Sequence, residues 1–228
     1  LRLGRAKYLL AGGMEEVCDE AAAAFRRLNI ESKAGAPKPF AADRDGAVAG
    51  EGSALWLLES EETAKARGAK PVLEILGFGA AHDASTSQGY QISGKGAATA
   101  IRQALEYSGV TPDQIACIVT SGSGSPAGDE MEARALTAVF GEKLAGIPAC
   151  APKASLGECM GGSGALCAVV AGLALQKQEL PPTAGFTGSD TQLNLSGSPR
   201  KIAGDYALIN AFSCDGNNSS LVIRRWQN

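Results

Sequence analysis

The stretch Ser121–Glu132, SGSGSPAGDEME, follows an apolar run, leads into helical composition, and concentrates hydroxyls, glycines and carboxylates. Such residues either cradle a phosphate on backbone N–H groups or present catalytic side chains from a loop. Gly122, Gly124 and Gly128 miss the G-x-G-x-x-G spacing by one residue and no Gly-Lys-Ser/Thr follows, so a nucleotide is not read here. SGKGAA, around Gly94, fails for the same reason. A second pattern, GECMG from Gly157 to Gly161, fits a nucleophile elbow with Cys159 in place of serine. An elbow needs a strand immediately before it and a histidine base, and the one histidine is His82, in AAHDAST. A cysteine hydrolase is one reading. The other makes Cys159 an ordinary residue at a helix start and His82 a loop residue.

These residues need elements to place them. AKYLLAGG reads as a short strand and MEEVCDEAAAAFRRLN as a helix; AVAGEGSALWLLES is a strand with internal glycines, followed by the charged helix EETAKARG. PVLEILGFGAA reads as a strand, GKGAATAIRQALEYSGV as a helix closed by Gly109, and IACIVT as a strand running into the Ser121 loop. Asp129 is expected to cap the helix EMEARALTAVFG, a carboxylate there accepting from free N–H groups. GIPACAPKA reads as a strand, and YALINAFSCDGNNSSLVIRRW as two strands about a polar turn.

The alternation gives an α/β layered fold. Met160–Leu175 is apolar or small all round, so it has no face for water, yet it is too short and glycine-rich for a membrane span. A helix covered by sheets on both sides satisfies it, which demands more than three layers.

Composition bounds the partners. The chain has 228 residues, 45% of them hydrophobic, enough for one large or two small domains. Its formal charge of -3, from 21 basic and 24 acidic residues mixed along the chain, offers no basic stripe for nucleic acid or an anionic membrane. The six cysteines form no CxxC pair and most sit in apolar runs, which points to a reducing cytoplasm. No signal peptide or initiator Met is present, and the opening at Leu1 in a strand approach suggests the later part of something longer.

Four stretches together resemble the β-ketoacyl synthases of the thiolase-fold superfamily. KPFAADRDGAVAGEGSALWLLE is similar to their RPFD…RDGFV.GEGAG.LVLE, SGSGSPAGDEME to HGTGTP.GD..E, PKASLGECMGGSGAL to TKS..GH..GAAGA, and NAFSCDGNNSSLVI to NSFGFGGTNASLV. Order and separation agree over nearly the whole chain. The resemblance implies a five-layer α-β-α-β-α fold with an incomplete N-terminal half: residues 1–72 would end the first thiolase-like half and residues 73–228 form the second. It also places the family's nucleophilic cysteine before Leu1.

In that family, two histidines donate hydrogen bonds to the thioester oxygen and assist loss of the malonyl carboxylate. The resemblance puts Ser121 at the first histidine position, Glu158 at the second, and the family lysine at Lys153. Serine does not titrate near neutrality, and an ionised Glu158 accepts only and would repel a malonyl carboxylate. Lys153 either neutralises Glu158 or survives as structure.

Ser123 and Ser125 fall where the family's threonines bind the pantetheine arm, although tight-turn chemistry would also select them. The resemblance turns the family's glycine-rich GFGG gating turn into Ser213, Cys214, Asp215 and Gly216, a stiffer version beside Asn210, Phe212 and Asn218, and it implies substrate-binding positions at Phe212, Cys214 and Asp215 as well. Asp43, Arg44, Asp45, Gly50 and Glu51 match motif positions that read as structural.

Three functions follow. The first is a non-catalytic chain-length-factor-like subunit, which PPTAGFTG near Pro181 also resembles, paired with an active ketosynthase and shaping its tunnel. The second is an acyltransferase with its cysteine upstream of Leu1, and the third a protein that kept only the fold. No metal or resident cofactor is expected, since the 4′-phosphopantetheine would be carried by a partner acyl carrier protein.

Overall fold

The computed structural model describes residues 1–84 and 89–227. β1 (Tyr8–Glu15) leads to α1 (Asp19–Arg27), β2 (Gly52–Glu59) and α2 (Glu61–Ala66). β3 (Leu73–His82), α3 (Lys95–Ser108), β4 (Ile115–Val119) and α4 (Pro126–Phe140) follow. The chain continues through β5 (Ala149–Cys150), α5 (Lys153–Leu156) and α6 (Met160–Lys177). After the short pair β6 (Glu179–Leu180) and β7 (Arg200–Lys201), it ends with β8 (Tyr206–Phe212) and β9 (Asn217–Arg225).

Five strands form one sheet in the order β3-β9-β8-β4-β5, with β4 parallel to both β8 and β5 and the β3-β9 and β8-β9 pairs antiparallel. Strand alternation sends Ile118, Leu208 and Val222 to one face, where they meet Ile101 and Leu105 of α3 and Met131 and Leu136 of α4. Cys117, Val119, Ile209 and Ile223 point to the other face and meet Cys167, Ala171 and Leu175 of α6. Full burial of each large aliphatic side chain contributes roughly 2 kcal/mol against the ordering entropy.

On its far side α6 packs against the antiparallel β1-β2 pair, which runs in register from Tyr8↔Glu59 to Glu15↔Gly52. The all-round apolar helix therefore lies between two sheets, as its composition demands, and the described residues build helix, sheet, helix and sheet layers. Among them α6 is the one helix long and apolar enough to cross a membrane by composition, and both its sides are taken by protein.

Glycines set two of the closest approaches between layers. A Cβ on Gly79 of β3 would stand 1.9 Å from the carbonyl oxygen of Ala100 in α3, and one on Gly13 of β1 would stand 1.9 Å from that of Gly161 at the start of α6. In both places backbone packs on backbone.

Three elements depart from the sequence reading. Met14 and Glu15 stay in β1 because they complete the ladder with Ser53 and Gly52, so tertiary pairing overrides helical composition. α1 starts only at Asp19, with Asp19 and Glu20 set against its N-terminal dipole. The GIPACAPKA strand shrinks to β5, because Pro152 turns the chain into the single turn of α5.

Asp129 does not cap α4. The helix begins at Pro126, whose fixed φ suits the first turn, with Ser125 at the N-cap, and Asp129 lies inside the helix. Gly109, at φ +66°, closes α3 as the sequence predicts.

Gly79→Ala should destabilise the protein by about 3 kcal/mol, the cost of forcing α3 off β3. Urea unfolding of the variant checks this, and a loss below about 0.5 kcal/mol would show that α3 moves aside freely.

Candidate functional site

β4, β5 and β8 are mutually parallel, so their C-terminal ends share one edge of the sheet. From β4 comes the loop 120–125, from β5 the turn into α5, and from β8 the turn 213–216. Three sequence stretches thus meet at the edge where α/β sheets commonly place ligands.

Ser121 is buried, and its hydroxyl faces backbone. It accepts from the Phe212 N–H at 2.9 Å and donates to the Phe212 carbonyl at 3.3 Å, stitching the β4 loop to the end of β8. The Ser121 N–H donates to Glu132 Oε1 at 3.0 Å, which also accepts from Asn210 Nδ2 at 2.8 Å. Asn210 is fixed in turn by the Ser220 hydroxyl, which donates to its Oδ1 at 2.9 Å.

Glu132 is wholly enclosed, and its Oε2 has no hydrogen-bond partner among the described residues. Burial pushes its carboxyl up to about 7, against the pull of the Ser121 N–H and Asn210.

Asp129, one helical turn earlier on the same face, accepts from the N–H groups of Ser123 (3.0 Å), Gly124 (3.2 Å) and Phe40 (2.7 Å). Burial raises it to about 6, and those three donors and the Arg44 charge oppose the rise. Phe40 takes a left-handed φ of +60°, unusual for a bulky residue, and its N–H thereby reaches Asp129. Arg44 lies 4.0 Å from Asp129 and bonds the Ala41 carbonyl and Asp190.

Lys153 and Glu158 form a buried ion pair, Nζ to Oε2 at 2.6 Å. Burial alone would lower the lysine, but the Glu158 charge beside it raises its pKa overall. The other Glu158 oxygen accepts from the Ser163 hydroxyl at 2.7 Å and the Met160 N–H at 3.1 Å, so the carboxylate closes the N-terminus of α6. Both oxygens of Glu158 thus face donors inside the protein.

Ser123 and Ser125 are 4% exposed, Ser123 held by Asp129 through its N–H and Ser125 standing at the α4 N-cap. In the turn after β8, Gly216 has φ +93° and Asp215 accepts from the Asn217 N–H and Nδ2 at 3.0 and 2.9 Å. The Asp215 side chain therefore pins the turn. Cys214 is half-buried, and burial with the Asp215 charge holds its thiol above the usual range.

The elbow reading fails. Glu158, before Cys159, makes a single bridge to Ala49 and belongs to no strand, and the Cys159 thiol donates to the Leu156 carbonyl at 3.4 Å. Burial and then the Glu158 charge raise its pKa, which suppresses thiolate. His82 is exposed at the end of β3 and pairs with Asn217 at 3.2 Å.

Of the charged run before β2, Arg44 is largely buried and Gly50 lies against the Leu156 carbonyl, whereas Asp43 and Glu51 are exposed. Asp45 accepts from the Ser32 hydroxyl at 2.6 Å. Sequence reasoning missed Tyr90, and it gave no role to Glu132 or Ser163 although both lie in the motif stretches. The three-residue spacing of Asp129 and Glu132 on an otherwise apolar helix face was the available signal. Among the described residues no three His, Cys, Asp or Glu side chains are placed to hold a metal.

The family model "Beta-ketoacyl synthase, C-terminal domain" matches residues 72–187, and "Beta-ketoacyl synthase, N-terminal domain" matches residues 1–64. A "3-oxoacyl-[acyl-carrier-protein] synthase 2" from Synechocystis sp. is 34% identical over 98% of this chain and 56% of its own length. The solved structure "The ishigamide ketosynthase/chain length factor" superposes with a TM-score of 0.92 at 33% identity, covering 99% of this chain and 56% of the other. A "type II PKS acyl-carrier protein in complex with its ketosynthase bound to the hexaketide" gives 0.93 at 29% identity, covering 99% and 58%. The chain spans little more than half the length of these relatives.

Two outcomes test the site. Glu158→Ala should cost about 3–5 kcal/mol by leaving the Lys153 ammonium buried and unpaired, while replacing both residues by apolar ones should cost much less. Denaturant unfolding decides, and equal losses in the two variants would show the pair to be solvated. Second, Glu132 holds its proton more tightly folded (about 7) than at its ordinary 4.5, so its contribution to stability is full below about 4.5 and is lost as pH rises to about 7. Glu132→Gln should flatten this slope and be the more stable protein at pH 8, by about 3 kcal/mol at most. Melting curves from pH 4 to 8 read it directly.

Proposed function

The chain belongs to the β-ketoacyl synthase family, and within it we propose that it serves as the non-catalytic, chain-length-factor-like partner of an active ketosynthase. The observation that carries this reading is that the Glu158 carboxylate, which the motif resemblance puts at the family's second histidine position, has both oxygens engaged by Lys153, Ser163 and the Met160 N–H. An acceptor cannot donate to a thioester oxygen, and its charge opposes both a malonyl carboxylate and an enolate. The first histidine position supports the same reading, because the proton of Ser121 goes to the Phe212 carbonyl.

The chemistry left to such a subunit is geometric: side chains at the interface with its partner limit how far a chain can grow. The expected partners are a ketosynthase in a heterodimer and an acyl carrier protein whose 4′-phosphopantetheine bears the growing chain. Two neighbours support this by description, one a ketosynthase/chain length factor and the other an acyl-carrier protein in complex with its ketosynthase. The free cysteines, four of them buried, suit a reducing cytoplasm.

The curated relative is named a synthase, which favours a second reading, an active acyltransferase; with an acceptor at Glu158, that reading takes plain thioester transfer without decarboxylation as its reaction. Intact-mass spectrometry of the natively purified complex, before and after an acyl thioester, separates the two. The subunit reading expects a co-purifying ketosynthase alone to gain the acyl mass. Acylation of the polypeptide containing this sequence would overturn it.

A further inference from the structure

Tyr90 precedes α3 and lies between the site's loops. Its ring rests on Gly128 of α4, where an added Cβ would come within 3.0 Å of the ring carbons Cε2 and Cζ. Together with Ser121, Ser123, Glu132 and Phe212 it surrounds a crevice too narrow for a water molecule. Burial, and then the charges of Glu158 and Cys214, hold the phenol well above its ordinary pKa, so it is neutral at any physiological pH. One neutral ring thus adjoins the Ser121 loop, α4 and the end of β8.

We propose that Tyr90 is a built-in plug, closing the crevice lined by Ser121, Ser123 and Phe212 so that this chain by itself excludes a slender amide-bearing thioester arm. The proposal rests on the reading that Ser123 and Ser125 stand at arm-binding positions. Both serines lie 4% exposed. Arm and ring compete for one space, and admission of the arm requires the ring to leave. The plug acts by volume, since the benzene ring and not the hydroxyl fills the space against Gly128.

A reporter thiol introduced by Ser123→Cys tests this in the natively purified protein, with exposed Cys18 as the internal standard. Iodoacetamide labelling, followed by peptide mass spectrometry, should be slow at the reporter with Tyr90 in place and equally slow with Tyr90→Phe. Tyr90→Ala should accelerate it at least tenfold, and Tyr90→Leu, which keeps an apolar filler should alanine unfold the loop, should accelerate it less. Less than twofold change in both the alanine and leucine variants would overturn the plug. In Tyr90→Ala, S-acetylpantetheine should then protect the reporter in a saturable way. Acceleration without protection would leave the plug standing and remove the arm-binding reading of the serines.

Discussion

Two carboxylates on one face of α4 hold the site together. Asp129 gathers three backbone N–H groups from two segments distant in sequence, and Glu132 gathers the Ser121 N–H and the Asn210 amide. Backbone donors in irregular loops have no ladder to join, and leaving one buried and unpaired costs about 1–3 kcal/mol. By answering several of them at once, the two acids let the loop 120–125 run through the interior. The cost appears in their own raised pKa values, which mark how far both have been taken from water.

Two polar side chains that the motif resemblance singled out are each absorbed locally. Glutamate at 158 finds an ammonium, a hydroxyl and a helix N-terminus, and serine at 121 closes a two-way bond with the Phe212 backbone. Neither side chain leaves a frayed site. At both positions the polar atoms are turned toward partners inside the protein, and the proposed role relies on that arrangement.

Much of this was legible in the residues. Cys117, Ile118 and Val119 announce a strand buried on both faces, Gly109 announces a helix stop, and the absence of a polar side on 160–175 requires two covering layers. What could not be read depended on long-range pairing. Met14 and Glu15 look helical until Ser53 and Gly52 stand opposite, and Asp129 looks like a cap until Phe40 arrives from 89 residues away. Motif positions located Ser121 and Glu158, but nothing in their spacing showed that their polar atoms turn inward, and Tyr90 belongs to no motif at all.

The contact of Gly13 with Gly161 reaches past stability. Across most of the core the distance between layers is negotiated by side-chain volume, and compensating substitutions can widen or narrow it. Where β1 meets the first turn of α6, the distance is set by two bare backbones and has no lower value to fall to. That end of the molecule acts as a ruler: cores above and below are free to drift in sequence while the start of α6, with the Glu158 carboxylate closing it, keeps a constant depth beneath the β1-β2 pair.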